Sequence, residues 1–164
     1  MASKTKSSGF QTPCECLTLN GDIDCSVIND PGCAPSNIVQ SKKTFSLSVA
    51  YDIDGSVVPL MDGTFKVMVR VEAIGDGPEF TTPAVLVDVV DDRIVAPNLP
   101  SSTNSHRFYN TTIEVNEDKL AGKLGLPDGS YLVMAVIRYV DTNGNPGPLA
   151  GLSDQKIIEV ADGI

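Results

Sequence analysis

The chain has 164 residues, 41% of them hydrophobic, which suffices for one well-buried core and is short for two full domains. With 12 Lys and Arg against 21 Asp and Glu the formal charge is -9, so long-range electrostatics oppose phosphate backbones and anionic membrane surfaces, and nucleic acid is excluded as an expected partner. No stretch approaches the roughly 18 apolar residues of a membrane span, and the basic, polar start from Met1 to Pro13 has no apolar run behind it. A soluble protein made in the cytoplasm without a signal peptide is expected.

Residues 1–36 read as an N-terminal arm, polar at first and then broken by Asn20-Gly21, Asp30-Pro31-Gly32 and Ala34-Pro35. Leu17-Thr18-Leu19 and Val27-Ile28 are too short to build a core there. All the cysteines fall in this stretch: Cys14, Cys16, Cys25 and Cys33. Their spacing does not match the paired C-x2-C knuckles of structural zinc. Three uses stay open: disulfides stapling the arm, a thiolate metal site, or reduced cysteines without a role. Beyond that metal, no cofactor is implied. Clustered cysteines without a signal fit a protein assembled inside a cell and used outside it.

From Ile38 the apolar pattern changes to period two. Phe45, Leu47, Val49 and Tyr51 alternate with small polar residues and predict a strand, and Asp54-Gly55 turns the chain. Val57 to Leu60 is a short apolar run. Phe65, Val67, Val69, Val71 and Ala73 alternate with Lys66, Met68, Arg70 and Glu72 in the clearest amphipathic strand, ended by Gly75-Asp76-Gly77-Pro78. Val85, Val87 and Val89 form the next strand. Residues 91–106 are a long excursion, and Tyr109, Thr111, Ile113 and Val115 resume the alternation. Asn116 to Leu124 suits a turn of helix. Tyr131 to Val140 is apolar on both faces apart from Arg138, as in a central strand covered on both sides. Asn143-Gly144 and Pro146-Gly147-Pro148 punctuate the last connection before Ile157, Ile158 and Val160.

About seven strands without a long helix predict an all-β, immunoglobulin-like antiparallel sandwich over residues 37–164, with the arm extended from it. The sandwich holds neither cysteine nor Trp, so the antibody-type disulfide and its packing Trp are absent.

The residues offer little chemistry. The one histidine, His106, falls in a Ser/Asn-rich stretch and reads as a solvated loop residue, which leaves few options for a His-based triad or a two-His metal site. Asp52 with Asp54, and Asp91 with Asp92, lie beside turns, where Asp caps its own backbone. Asp141-x-Asn143-x-Asn145 alternates oxygen ligands as a calcium loop does, but Pro146 and Leu152 stand where such a loop needs Gly and Glu. No catalytic residues are assigned, and the chain is expected not to be an enzyme. Loops at sandwich ends are the usual binding elements; here they offer Gly75, Gly77 and Pro78 in one, and His106, Arg107 and Tyr109 in another.

Ser36-Asn37-Ile38-Val39 leads into the sandwich, Gly63-Thr64-Phe65-Lys66-Val67 enters its clearest strand, and Glu72-Ala73-Ile74-Gly75-Asp76-Gly77-Pro78-Glu79 closes that strand. Gly129-Ser130-Tyr131-Leu132-Val133 and Gly144-Asn145-Pro146-Gly147-Pro148-Leu149-Ala150-Gly151 follow. On these motifs the run from Asn37 to Val160 resembles small bacterial immunoglobulin-like sandwich proteins associated with phage-tail-like contractile injection systems. The resemblance implies a shared fold, carries no catalytic residue and does not extend to the arm. The expected role is a structural or accessory subunit of a virion-like particle, an injection system or a phage capsid or tail. It would be docked on other protein subunits through the arm and oligomeric. The alternative is a loop-based module for glycans or surface proteins.

Overall fold

The computed structural model describes residues 9–11, 19–28, 37–40, 44–90, 106–115 and 126–161. In chain order the strands are β1 (Gly9–Gln11), β2 (Ile23–Ile28), β3 (Ile38–Gln40), β4 (Phe45–Asp54), β5 (Thr64–Ala73) and β6 (Glu79–Thr81). They continue as β7 (Val85–Asp88), β8 (His106–Val115), β9 (Gly129–Val140), β10 (Pro146–Leu152) and β11 (Lys156–Ala161). The expected antiparallel sandwich is present. Its smaller sheet has the order β2-β4-β8. The larger is built on the pair β5–β9: β5 carries β6 and β7 on its far side, while β9 carries β10 and β11. β1 adds to β10, and β3 runs parallel to β11. This places β2-β4-β8 where an immunoglobulin domain has strands A, B and E, and β5-β9-β11 where it has C, F and G.

Period-two alternation sorts the side chains. Phe65, Val67, Val69 and Val71 of β5 and Tyr131, Val133, Ala135 and Ile137 of β9 point inward. They meet Leu47, Val49, Tyr51 and Ile53 of β4 and Tyr109, Ile113 and Val115 of β8. At one end of this core the ring of Phe65 sits edge-on to Tyr51 and Tyr109, with centroids 5.5 Å away in each case, and 6.2 Å from Tyr139. Tyr51 and Tyr109 stack at 4.8 Å. Gly63, just before β5, has φ +88, and a Cβ there would collide with the carbonyl oxygen of Val140. The close approach of β5 to β9 therefore requires glycine at this position.

The flanks of the central pair break at one level. Val69 and Ala135 are direct partners. Beside Val69, between β6 and β7, the buried Thr82 accepts the Val69 N–H on its hydroxyl at 2.9 Å and donates its own N–H to the Val69 carbonyl at 2.9 Å. Beside Ala135, between β10 and β11, Ser153 does the same, at 2.8 and 3.0 Å. Each side chain replaces the backbone partner that a continuous strand would supply, so no buried amide is left unpaired there.

Several expectations change. The boundary expected after residue 36 does not separate an arm from a sandwich. β1 pairs with β10, and β2 forms a full ladder with β4 while Ile23, Cys25 and Val27 enter the core. The run from Val57 to Leu60 is a single 3-10 turn over Val58–Leu60 with Pro59 inside it, which buries Val58. The Pro/Gly-rich connection is strand β10, whose ladder to β9 is irregular between Pro146 and Ala150, where prolines without an N–H are tolerated. β9 is covered on one face: its outward residues Leu132, Met134 and Val136 are half-buried. The excursion at 91–105 and the helical turn expected at 116–124 lie outside the described residues.

Candidate interaction surface

The residues expected to form binding loops lie at opposite ends of the sandwich. Gly75, Gly77 and Pro78 follow the end of β5, in the turn to β6. His106, Arg107 and Tyr109 belong to β8 and sit near the start of β5, because Val89, whose N–H bonds the Gly63 carbonyl at 3.0 Å, also accepts from Arg107 and Tyr109. A strand of this length separates the groups by about 30 Å. Tyr109 is 2% exposed and belongs to the aromatic core. Arg107 Nη1 donates to the same Val89 carbonyl at 3.0 Å.

His106 is the first residue of β8 rather than a loop residue. Its Nε2 lies 2.8 Å from Asp52 Oδ2, and its ring tilts over Phe108 at 4.2 Å. Asp52 Oδ1 in turn accepts the N–H of Asp22 at 3.0 Å, so this carboxylate ties β8 to the chain before β2 and does not cap a turn. Asp141 does what its turn predicts: its Oδ1 accepts the N–H groups of Asn143 and Asn145, both at 2.9 Å. Asp91 and Asp92 lie outside the described residues. Among the described residues no three His, Cys, Asp or Glu side chains come together as metal ligands would, and no helix is long and apolar enough to cross a membrane.

Cys14, Cys16 and Cys33 lie outside the described residues. Cys25 packs in the core as a small hydrophobe, 1% exposed. Burial pushes its thiol up from 9.0 to about 11, against the pull of the Lys156 charge. Two units of displacement lower the thiolate fraction at pH 8 about a hundredfold, and native-state alkylation at Cys25 is expected to slow by at least that factor relative to denatured chain. Site-resolved mass spectrometry of iodoacetamide-treated protein measures it; equal rates in both states would mean that β2 does not stay in its sheet. Because the folded thiol titrates above the unfolded one, its contribution to stability is complete below pH 9 and is lost as pH rises toward 11.

The feature that sequence reading missed is the outer face of the larger sheet. Register across β5 and β9 sets Lys66 beside Arg138, Met68 beside Val136, Arg70 beside Met134 and Glu72 beside Leu132. Leu152 of β10 continues the Met68–Val136 row, and Ile157 of β11 continues the Glu72–Leu132 row. Leu152 is 43% and Ile157 53% exposed, and Leu86 beside Lys66 is 64% exposed. The apolar patch thus runs along β9 and out onto β10 and β11, with Met68, Arg70 and Glu72 of β5 beside it. At the Lys66 end lies an open groove of about 800 Å³ between Leu86, Val90 and the Asp141–Gly144 turn. The outward apolar residues of β9 were visible in the sequence, but the assumption that a second layer covers them concealed the surface.

Fold and surface together define the class of the molecule, an immunoglobulin-like β-sandwich with an apolar outer sheet face. No family model and no curated protein matches the chain. Among solved structures it is similar to a Pseudomonas fluorescens alkylpurine DNA glycosylase bound to DNA containing an abasic site analogue. The identity is 11% and the TM-score 0.43, over 86% of this chain and 30% of that one. A Listeria innocua β-glucosidase in complex with glucose gives 10% identity and a TM-score of 0.44, over 87% and 16%. The CARDB domain of a Pyrococcus furiosus protein in complex with di-metal ions gives 12% identity and a TM-score of 0.40, over 90% and 96%. The chain spans less than a third of the first two proteins, and at these identities no activity transfers from any of them.

Proposed function

We propose that this chain is a non-enzymatic structural or accessory subunit of a larger protein assembly, of the virion-like kind its resemblance to contractile-injection-associated sandwiches implies. The observation that supports this reading is the band of Met68, Leu132, Met134, Val136, Leu152 and Ile157 on the outer face of the larger sheet. Contiguous apolar surface rimmed by charge is characteristic of protein–protein contact. The face replaces the N-terminal arm as the docking element, since β1 and β2 are members of the sheets. The split between the Gly75 turn and the start of β8 makes a single loop-built glycan site the weaker alternative.

Gradient sedimentation of lysate from producing cells tests the reading, with tagged wild type compared with Met134→Glu. Wild type is expected among fast-sedimenting particles, and the variant in the slow fraction. Wild type found only as slow protein would overturn the subunit reading. A variant that sediments with the particles as wild type does would remove the face as the docking element.

A further inference from the structure

The chain contains two Asn-Gly steps, Asn20-Gly21 and Asn143-Gly144. Asparagine followed by glycine is the step most open to attack of the backbone nitrogen on the side-chain amide, because no Cβ shields that nitrogen. Both asparagines are exposed, so exposure does not separate them. Their backbones do. Asn20 continues the β2–β4 ladder: its N–H donates to the Asp54 carbonyl at 2.7 Å, and its carbonyl accepts the Asp54 N–H at 2.8 Å. Beyond Gly21, the Asp22 carbonyl accepts the Asp52 N–H at 3.1 Å, and the Asp22 N–H donates to Asp52 Oδ1 at 3.0 Å. The Gly21 carbonyl oxygen also lies where a Cβ on Gly9 of β1 would stand. The Asn20-Gly21 peptide is thus pinned before, after and from the side. Asn143 sits at the tip of the β9–β10 hairpin, where Asp141 holds it: Asp141 Oδ1 accepts the Asn143 N–H at 2.9 Å, and the Asp141 carbonyl accepts the Gly144 N–H at 3.0 Å. The Asn143 carbonyl and side-chain amide have no hydrogen-bond partner among the described residues. Gly144, at φ +83, has open space where a Cβ would stand.

From this contrast we propose that Asn143 is a deamidation site, which the folded chain converts to aspartate and isoaspartate while it protects Asn20. The Gly144 nitrogen bonds to Asn143 Cγ and gives up its proton, the Cγ–Nδ2 bond breaks, and ammonia leaves, which closes a five-membered imide. Water then opens the imide at either carbonyl, and no oxidant or reductant takes part. To reach this geometry the Asn143-Gly144 peptide releases one bond, from the Gly144 N–H to the Asp141 carbonyl, and both partners belong to the turn. The same rotation at Asn20 pulls its carbonyl off the Asp54 N–H and displaces the chain entering β2, so ladder bonds are lost as well. The product alters its surroundings. Opening to aspartate adds a carboxylate beside Asp141, at the rim of the groove lined by Leu86, Asp88, Thr142 and Gly144. Opening to isoaspartate routes the main chain through Cβ and lengthens it by one atom, so Asp141 Oδ1 no longer meets the N–H groups of positions 143 and 145 together.

Peptide mapping by mass spectrometry tests the inference on the full chain, incubated at mildly alkaline pH both folded and in guanidinium. In the folded chain the peptide containing Asn143 is expected to gain the mass of an amide NH2 replaced by OH, and to split into aspartyl and isoaspartyl forms. It should do so at least tenfold faster than the peptide containing Asn20. In guanidinium the two rates should converge, because both steps then present the same unfolded Asn-Gly sequence. Asn143→Gln is expected to abolish the gain at its own peptide and leave the Asn20 rate unchanged. Folded-state rates that are equal, or faster at Asn20, overturn the inference. So does a folded chain in which Asn143 stays intact while guanidinium converts it, since the turn then shields the peptide instead of freeing it. A gain that persists in Asn143→Gln places the reaction at another residue and overturns the assignment.

Discussion

Deleting residues 1–36 is expected to unfold the domain rather than release a stable sandwich. The deletion removes β2, and with it the Ile23–Ile28 ladder on β4 and the Ile23, Cys25 and Val27 side chains, each under 9% exposed. Burying a Val or Ile side chain contributes about 1.5–3 kcal/mol, and the truncation also uncovers the edge of β4 and the Leu47 and Val49 side chains beside it. The total loss is about 5 kcal/mol or more, as large as the whole stability of many domains of this size. The smaller sheet would be left with the β4–β8 pair alone, too narrow to roof the core. Circular dichroism and a thermal melt of the truncated chain measure the effect. A cooperative transition within a few degrees of the intact protein would show that β2 is dispensable, and would restore the picture of a detachable arm.

Phe65→Ala is expected to destabilise the protein by about 3–5 kcal/mol, the range for removing a buried aromatic side chain. Phe65 is fully buried, and its ring is the one that touches Tyr51, Tyr109 and Tyr139 together. The surrounding backbone cannot collapse into the space: Gly63 is pressed against Val140 on one side, and Val89 is held by Gly63, Arg107 and Tyr109 on the other. Urea unfolding measures the loss, with Leu86→Ala as the control. Leu86 lies in the adjacent strand at 64% exposure and should change stability by less than about 0.5 kcal/mol. A Phe65→Ala midpoint matching that control would mean the aromatic cluster closes over the gap.

Sequence reading finds β4, β5, β7 and β8 from apolar alternation, where one buried face leaves an unambiguous trace, and β9 and β11 from denser apolar runs. β2 carries the same alternation in Ile23, Cys25 and Val27, and was overlooked because Cys25 was weighed as a ligand rather than as a hydrophobe. β10 was hidden by Pro146, Gly147 and Pro148, which mark a turn in most contexts and here occupy an irregular ladder. His106 was misplaced for a related reason: the polar run before it hides the start of β8, and its partner Asp52 is distant in sequence. The outward charges of β5 are legible in its alternation, but their cross-strand neighbours are not. That Lys66 neighbours Arg138 and Glu72 neighbours Glu79 is a statement of register, which composition and spacing do not carry.

The side-chain plugs at Thr82 and Ser153 have a consequence for how the fold tolerates change. In an unbroken strand, one inserted residue slips the register of everything beyond it and turns each side chain to the opposite face. Here the strands flanking β5 and β9 are interrupted at the level of Val69 and Ala135, and each half is anchored separately on the central pair. A frame error in β6 or β10 stops at the plug, and β7 or β11 keeps its own phase. The rim of this sheet can therefore diverge by insertion and deletion, half-strand by half-strand, while the β5–β9 pair that carries the outer face stays in step.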